Sequence, residues 1–440
     1  MDGIVAVVGR PNVGKSSFFN RVLGERVSIV EDVAGVTRDR IYGKTNWLTK
    51  ELSFIDTGGL ETNDHDFKKE ILLQVEIAIN EADVIIFVCD GLTGLLNDDI
   101  RVARMLQKSN KPVIVAINKV DDLNKLDAIY DFYKLGFERV LPISCSHGIG
   151  IGDVLDLVVK YLPLHKHKDY PDDAIKFAII GQPNVGKSSL VNCILNEERV
   201  IVSDIEGTTR DAIDTPFVYN NQNYVAIDTA GIRKKGKIYE NIEKYSVIRS
   251  MNAIDRCDVV LFVIDGEKGI RTHDKHVAGF AHNEGKPIII IYNKWDIVDK
   301  DEKTMNVIID KIRKEFLYLS YAPILFVSAL TKQRINTIMP MIDNVYSNAN
   351  TRISTAVVNE VILNAQIQTP PPTHNGQRLK IYYGSQVSVT PPTFVLFVND
   401  PDLCHFSYKR YLENKMRFAF DFMGTPIKII LRKRNLKVDS

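Results

Sequence analysis

Gly9-Arg10-Pro11-Asn12-Val13-Gly14-Lys15-Ser16 fits the phosphate-binding pattern G-x-x-x-x-G-K-[ST] without a mismatch. It follows the apolar run Ile4 to Val8 and leads into Ser17-Phe18-Phe19-Asn20-Arg21-Val22-Leu23, the strand–loop–helix context that the pattern needs. The same words return at Gly181-Gln182-Pro183-Asn184-Val185-Gly186-Lys187-Ser188, followed by Ser189. A single Gly-Lys-Ser loop can arise by chance. Two in the same context turn the chain into a duplication and set the frame for the rest of it.

The duplication extends well beyond the loop. Thr37-Arg38-Asp39 matches Thr209-Arg210-Asp211 and Asp56 matches Asp228, all at the loop's offset of 172. Asp83, Asp90 and Asn118 match Asp258, Asp265 and Asn293 at an offset of 175, so the second copy carries a longer segment after Asp228-Thr229-Ala230-Gly231. That segment is basic, with Arg233, Lys234, Lys235 and Lys237. A period this long means two whole domains, not a solenoid. In each copy apolar strands alternate with helical patterns, which predicts an α/β fold: a mostly parallel sheet with helices on both faces. In the first copy the pattern places strands at 3–8, 52–56, 84–89, 113–117 and 140–143, and helices at 15–23, 67–81, 97–108, 124–134 and 151–161. Segments 40–48 and 213–219 read as antiparallel edge strands. The expected division is 1–163 and 175–349 for the two copies, a polar linker at 164–174, and a third domain at 350–440 with the order α-β-β-α-β.

Composition narrows the class. The 440 residues are 45% hydrophobic and 25% charged, ordinary values for a globular protein. Five scattered cysteines without a C-x-x-C pair read as reduced thiols of a cytoplasmic protein. The first strand begins almost at Met1, so no signal peptide is expected. Runs such as Val84 to Cys89 are too short to span a bilayer, so no stable membrane association is expected, and the chain is expected to act as a monomer. Charge is uneven: Thr351 to Ser440 holds 12 Lys and Arg against 6 Asp and Glu, leaving 44 against 49 elsewhere. A basic end on a mildly acidic body points the last domain toward an anionic polymer.

The motifs then specify the chemistry. Backbone N–H groups of the glycine-rich loop converge on phosphate oxygens, and the following helix N-terminus adds its dipole. Lys15 and Lys187 are expected on the β- and γ-phosphates, with Ser16 and Ser188 on Mg2+. Asp56 and Asp228 end strands where a carboxylate can hold Mg2+, and Gly59 or Gly231 can meet the γ-phosphate. Asn118-Lys119-Val120-Asp121 and Asn293-Lys294-Trp295-Asp296 follow strong apolar strands. A carboxylate accepts two hydrogen bonds from guanine N1–H and N2–H2 and has no such pair on adenine, so Asp121 and Asp296 select guanine. The Asn can pin the phosphate loop and the Lys stem can cover the base. Ser144-Cys145-Ser146 and Ser328-Ala329-Leu330 close the site and are expected to offer a backbone N–H to guanine O6. Thr37 and Thr209 can complete the Mg2+ shell only beside a γ-phosphate, so their segments should order with GTP and relax with GDP.

At this point each copy resembles an Era/TrmE-type GTPase domain, and two in tandem with a basic α/β tail resemble the Der (EngA) family of double-Era-like GTPases across essentially the whole chain. The resemblance implies a KH-like tail and a role in assembly of the large ribosomal subunit, with GTP or GDP and the large subunit or its ribosomal RNA as partners. It implies hydrolysis of GTP to GDP and phosphate by in-line attack of water. Leu60 and Ile232 stand where Ras-like GTPases carry the water-orienting Gln. Related GTPases use a potassium ion instead, held partly by an Asn of the phosphate loop, the position of Asn12 and Asn184. The alternative is that both Asn only tighten the loop. The tail has no G-x-x-G loop between its helices, the element with which KH domains clamp RNA. Its aromatics, Phe394, Phe397, Phe418, Phe420 and Phe422, are expected in its core. Two rival readings stay open: a P-loop nucleotide kinase, which would need an acceptor site and an arginine lid, and a membrane- or septum-associated regulatory GTPase without direct RNA contact.

Overall fold

The computed structural model describes residues 3–24, 42–56, 75–76, 78–79, 82–121, 123–162, 170–171, 173–197, 199–202, 214–229, 243–299, 301–374 and 377–434. The chain divides into two compact units, Met1–Asp169 and Tyr170–Ser440.

The first unit is built on β1 (Gly3–Val8), β2 (Tyr42–Trp47), β3 (Lys50–Asp56), β4 (Val84–Asp90), β5 (Val113–Asn118) and β6 (Val140–Pro142). They form one sheet in the order β2-β3-β1-β4-β5-β6, parallel except for β2, which pairs antiparallel with β3. Every residue of β4 is buried, which is why it reads as a continuous apolar run and not as an alternation. Phe18, Phe54 and Val154 fill one face, and Phe87, Val102 and Phe132 fill the other. The expected helix at 124–134 is present as a 3-10 helix, Leu123–Leu135. The expected helix at 67–81 and the linker at 164–174 fall largely outside the described residues.

The second unit repeats the plan. Its first sheet has β7 (Ile175–Gly181), β8 (Val200–Val202), β9 (Thr215–Tyr219), β10 (Gln222–Ile227), β11 (Val259–Asp265), β12 (Ile288–Asn293) and β13 (Ile324–Phe326) in the order β13-β12-β11-β7-β10-β9-β8. β8 adds an antiparallel edge against β9 that the sequence pattern does not announce. A short pair, β14 (Thr373–His374) and β15 (Gln377–Arg378), precedes the last sheet, β16 (Ile381–Ser388), β17 (Thr393–Val398) and β18 (Lys428–Lys433). With helices Thr355–Gln368 and Phe406–Phe420 this gives the expected α-β-β-α-β order. Phe394 and Phe422 are fully buried there, but Phe418 is 93% exposed. Tyr408, Leu412 and Met416 recur at i, i+4, i+8 and face the core, which turns Phe418 to the opposite side of its helix.

The last sheet joins the GTPase-like sheet through the turn after Phe420. Ile288 N–H donates to Gly424 O (2.7 Å), and Gly424 N–H donates to Tyr321 O (2.9 Å). Arg417 donates to Phe422 O (2.7 Å) and Thr425 O (2.9 Å), and its guanidinium lies 4.9 Å from the Tyr321 ring centroid. Tyr321 Oη in turn meets His282 Nδ1 at 3.0 Å. Burial, and then the charges of Arg417 and Lys428, push the His282 imidazole down to about 4, so it is neutral near pH 7.

Candidate guanine-nucleotide sites

Both phosphate loops stand at the C-terminal edge of the central strand, β1 or β7, where open α/β sheets bind ligands. The loop backbone is left-handed at Asn12 (φ 63°) and Gly14 (φ 97°), and at Asn184 (φ 65°) and Gly186 (φ 95°). This alternation turns successive N–H groups toward one side and forms an anion cradle. Gly14 has a second reason to be glycine: a Cβ there would lie 2.1 Å from Asn118 Nδ2, and one at Gly186 would lie 2.3 Å from Asn293 Nδ2.

The lysines span the cradle. Lys15 Nζ donates to Gly9 O and Arg10 O (both 2.8 Å) and is 6% exposed. Lys187 Nζ donates to Gly181 O (2.7 Å) and Gln182 O (2.6 Å). Burial, and then the nearby Arg249, pull the Lys187 ammonium down to about 8. Ser17 and Ser189 are exposed in the first turns of the helices Lys15–Leu23 and Lys187–Leu195, whose N-terminal N–H groups face the cradle.

Asn118 and Asn293 brace loop to base site. Asn118 Nδ2 donates to Val13 O (2.8 Å) and its Oδ1 accepts from Cys145 N–H (3.0 Å). Asn293 Nδ2 donates to Val185 O (2.8 Å) and its Oδ1 accepts from Ala329 N–H (3.1 Å). Of the backbone N–H groups in the segments 144–146 and 328–330 expected to face the base's O6, those of Cys145 and Ala329 are engaged by the Asn carboxamides. Asp121 accepts from Ser144 Oγ (2.6 Å) and Ser146 Oγ (3.3 Å), and the Ser144 bond holds its carboxyl below the usual range. Asp296 accepts from Ser328 Oγ at 2.5 Å. Each carboxylate is aimed by a serine.

Asp90 and Asp265, aligned by the repeat but without a role in the motifs, fix the base-site lysines. Lys119 Nζ donates to Asp90 Oδ2 (2.6 Å) and Asn12 O (3.0 Å), and Lys294 Nζ donates to Asp265 Oδ2 (2.7 Å). Burial alone would raise both carboxyls, but the lysine and two backbone N–H groups outweigh it and lower them. A second missed pair sits under the loop. Arg10 Nε donates to buried Asp99 (2.8 Å), and Gln182 Nε2 donates to buried Asp274 (2.7 Å). Its only sequence signal is the offset of 175 between the two aspartates.

The Mg2+ candidates differ between copies. Ser16 Oγ donates to Asp56 Oδ2 at 2.9 Å, so hydroxyl and carboxylate converge on one point beside the cradle, a pair of hard oxygen donors that fits Mg2+. In the second copy Ser188 occupies the same place on its helix, but Asp228 is held by both nitrogens of Arg249, Nε to Oδ2 (2.7 Å) and Nη2 to Oδ1 (2.8 Å). That Arg has no counterpart signal in the motifs. Thr37, Thr209, Gly59 and Gly231, with Leu60 and Ile232, lie outside the described residues.

Comparison with known proteins follows the same division. Residues 4–119 and 176–294 match the family model "50S ribosome-binding GTPase", and residues 352–432 match "KH-domain-like of EngA bacterial GTPase enzymes, C-terminal". The chain is 58% identical to GTPase Der of Listeria monocytogenes over 98% of this chain and 99% of that protein. It is 56% identical to GTPase Der of Bacillus cytotoxicus, again over 98% and 99%. Among solved structures it is similar to Era in complex with MgGDPNP and a segment of 16S ribosomal RNA, at 26% identity over 59% of this chain and 90% of that one, with a TM-score of 0.31.

Proposed function

Because the chain belongs to the GTPase Der family, we propose that it is a switch with two guanine-nucleotide sites, working in assembly of the large ribosomal subunit through a C-terminal domain that meets ribosomal RNA. Binding of guanine nucleotides and hydrolysis of GTP come with the family. The observation that carries the two-site reading is the repeated brace: Asn118 ties Val13 O to Cys145 N–H, and Asn293 ties Val185 O to Ala329 N–H. In each copy one side chain couples the phosphate cradle to the base-selecting loop.

In this reading the domains divide at 1–163, 175–349 and 350–440, and the molecule acts as a cytoplasmic monomer. Lys15 and Lys187 exchange their loop carbonyls for β- and γ-phosphate oxygens. Asp121 and Asp296 accept from guanine N1–H and N2–H2, and Lys119 and Lys294 cover the base. Ser16 with Asp56, and Ser188 with Asp228, would hold Mg2+, joined by Thr37 and Thr209. Bound there, the ion neutralises charge that develops on the phosphates. Water attacks the γ-phosphorus in line, with no side-chain base. Asn12 and Asn184 stand exposed at the loop crest, where a potassium ion would supply charge stabilisation as an arginine finger does, with Leu60 and Ile232 in the place of the water-orienting glutamine. Their left-handed backbone also accounts for Asn on conformational grounds, so the roles separate by rate: Asn12→Ala and Asn184→Ala should abolish a preference for potassium over sodium if the ion is used.

Sucrose-gradient sedimentation of cell extract with GDP or a non-hydrolysable GTP analogue tests the ribosomal assignment. Co-migration with large-subunit particles in one nucleotide state is the expected result. Absence from those particles in every state, together with flotation on liposomes, would replace it with the membrane-associated reading.

A further inference from the structure

The last sheet has one face on its helices and one face outward. Phe394, Leu396 and Ile429 point inward into the core. The alternate residues point the other way. Register sets Tyr383 beside Phe397 and Phe397 beside Arg432, in one row across three strands. The next row is Ser385, Val395 and Ile430, of which Val395 on the central strand is buried beneath its neighbours. The Tyr383 and Phe397 rings are stacked, with centroids 4.4 Å apart and planes 16° apart. Tyr383 and Ile430 are each 42% exposed, and Arg432 and Lys428 are exposed. Arg434 lies 5.0 Å from the Tyr382 ring. No residue of β16, β17 or β18 is Asp or Glu.

A strand face that keeps an aromatic stack half toward solvent, with exposed cations and no carboxylate on its three strands, calls for a partner that is flat, apolar and anionic at once. Every nucleobase has a π-face, and its phosphates supply the charge. Stacking on such platforms tolerates any sequence. The tail also lacks the G-x-x-G clamp, so the usual KH route to RNA is closed while this face stays open.

We infer that the outward face of this sheet, centred on Tyr383 and Phe397, binds single-stranded RNA by base stacking, with Arg432 and Lys428 on the flanking phosphates. The inference rests on the RNA-facing reading above and adds which surface is used and what it recognises: unpaired bases, not duplex shape.

The test uses the full chain and fluorescence anisotropy with three probes: a short labelled oligouridylate, the same strand in duplex with oligoadenylate, and an abasic strand of equal phosphate number. The wild type should prefer oligouridylate to both others. Tyr383→Ala should weaken it about tenfold and Tyr383→Trp should restore it. Arg432→Gln should lower the salt slope by about one phosphate contact. Since Phe397 is half-buried, Phe397→Leu serves there, and GDP binding at the second site confirms that each variant is folded. Equal binding by Tyr383→Ala and wild type, or equal affinity for the abasic strand, overturns the platform while leaving phosphate-mediated RNA binding standing. Loss of large-subunit particles with oligouridylate binding unchanged assigns the face to a protein and also overturns it. A wild type that binds neither oligouridylate nor particles removes the RNA reading and this inference together.

Discussion

Asp99 and Asp274 occupy the same place under the two phosphate loops, and burial raises both carboxyls. Asp99 meets the charged Arg10, whereas Asp274 meets the neutral Gln182 and leaves Oδ1 buried without a hydrogen-bond partner. Burial therefore pushes the Asp274 carboxyl up to about 6. A carboxyl with a raised pKa binds its proton more tightly folded than unfolded, so stability should fall as pH rises from about 4 to about 6. Asp274→Asn should remove that slope and stabilise the second unit by about 2 kcal/mol at neutral pH. Asp99→Asn should instead destabilise the first unit by leaving the partly buried Arg10 charge without its carboxylate. Thermal unfolding of both variants across pH 4 to 8 checks the contrast. Arg249 gives a second asymmetry, because Mg2+ and its guanidinium compete for the Asp228 carboxylate. Arg249→Gln should lower the Mg2+ concentration that half-retains GDP at the second site about fivefold, the worth of a partly buried ion pair of about 1 kcal/mol. Release of a fluorescent GDP analogue, measured in a Lys15→Ala background, reads that site alone, and an unchanged Mg2+ midpoint would reject the competition.

At the scale of elements, the phosphate loop and the base-selecting strand end act as one piece because Asn118 or Asn293 is shared between them. Gly186→Ala forces a Cβ to 2.3 Å from Asn293 Nδ2 at a left-handed backbone position, so it should break the brace and cut nucleotide affinity at the second site at least about a hundredfold. Affinity at the first site should not change, and calorimetric titration with GDP separates the two. These elements were legible in the sequence because they carry fixed spacing. The loop, the Asn-Lys-x-Asp strand ends and the fully buried β4 and β11 announce themselves by pattern. The supports did not. Asp90 and Asp265 show only as aligned acids, and Arg249 shows as nothing, because a partner contributed from a distant helix leaves no local period. The exposure of Phe418 and of the Tyr383–Phe397 stack escaped for another reason: composition says that an aromatic residue is present, and only register says which face it takes.

At the scale of the molecule, the second unit carries its last sheet on a junction that runs through the turn at Gly424. Lys15→Ala should cripple one nucleotide site and Lys187→Ala the other; loss of both sites from either single change would refute two self-contained cradles. The junction predicts how the second unit unfolds. Arg417 satisfies two carbonyls of the turn at Phe422 and Thr425 and lies over Tyr321, whose carbonyl accepts from Gly424. Gly424 O in turn accepts from Ile288 at the start of β12, the strand that ends in Asn293. Arg417→Ala strips the turn of these bonds and of the cation–π contact, a loss of about 2–4 kcal/mol. Because the turn is bonded to β12, the loss should be felt by the last sheet and the second nucleotide site together. Differential scanning calorimetry should show the second unit's transition move down as one peak, while the first unit's transition stays in place. Saturating GDP should then recover part of the shift, since ligand bound at Asn293 and Asp296 stabilises the same cooperative unit. A split transition, with the last sheet melting alone and GDP without effect on it, would show instead that the junction transmits nothing to the second nucleotide site.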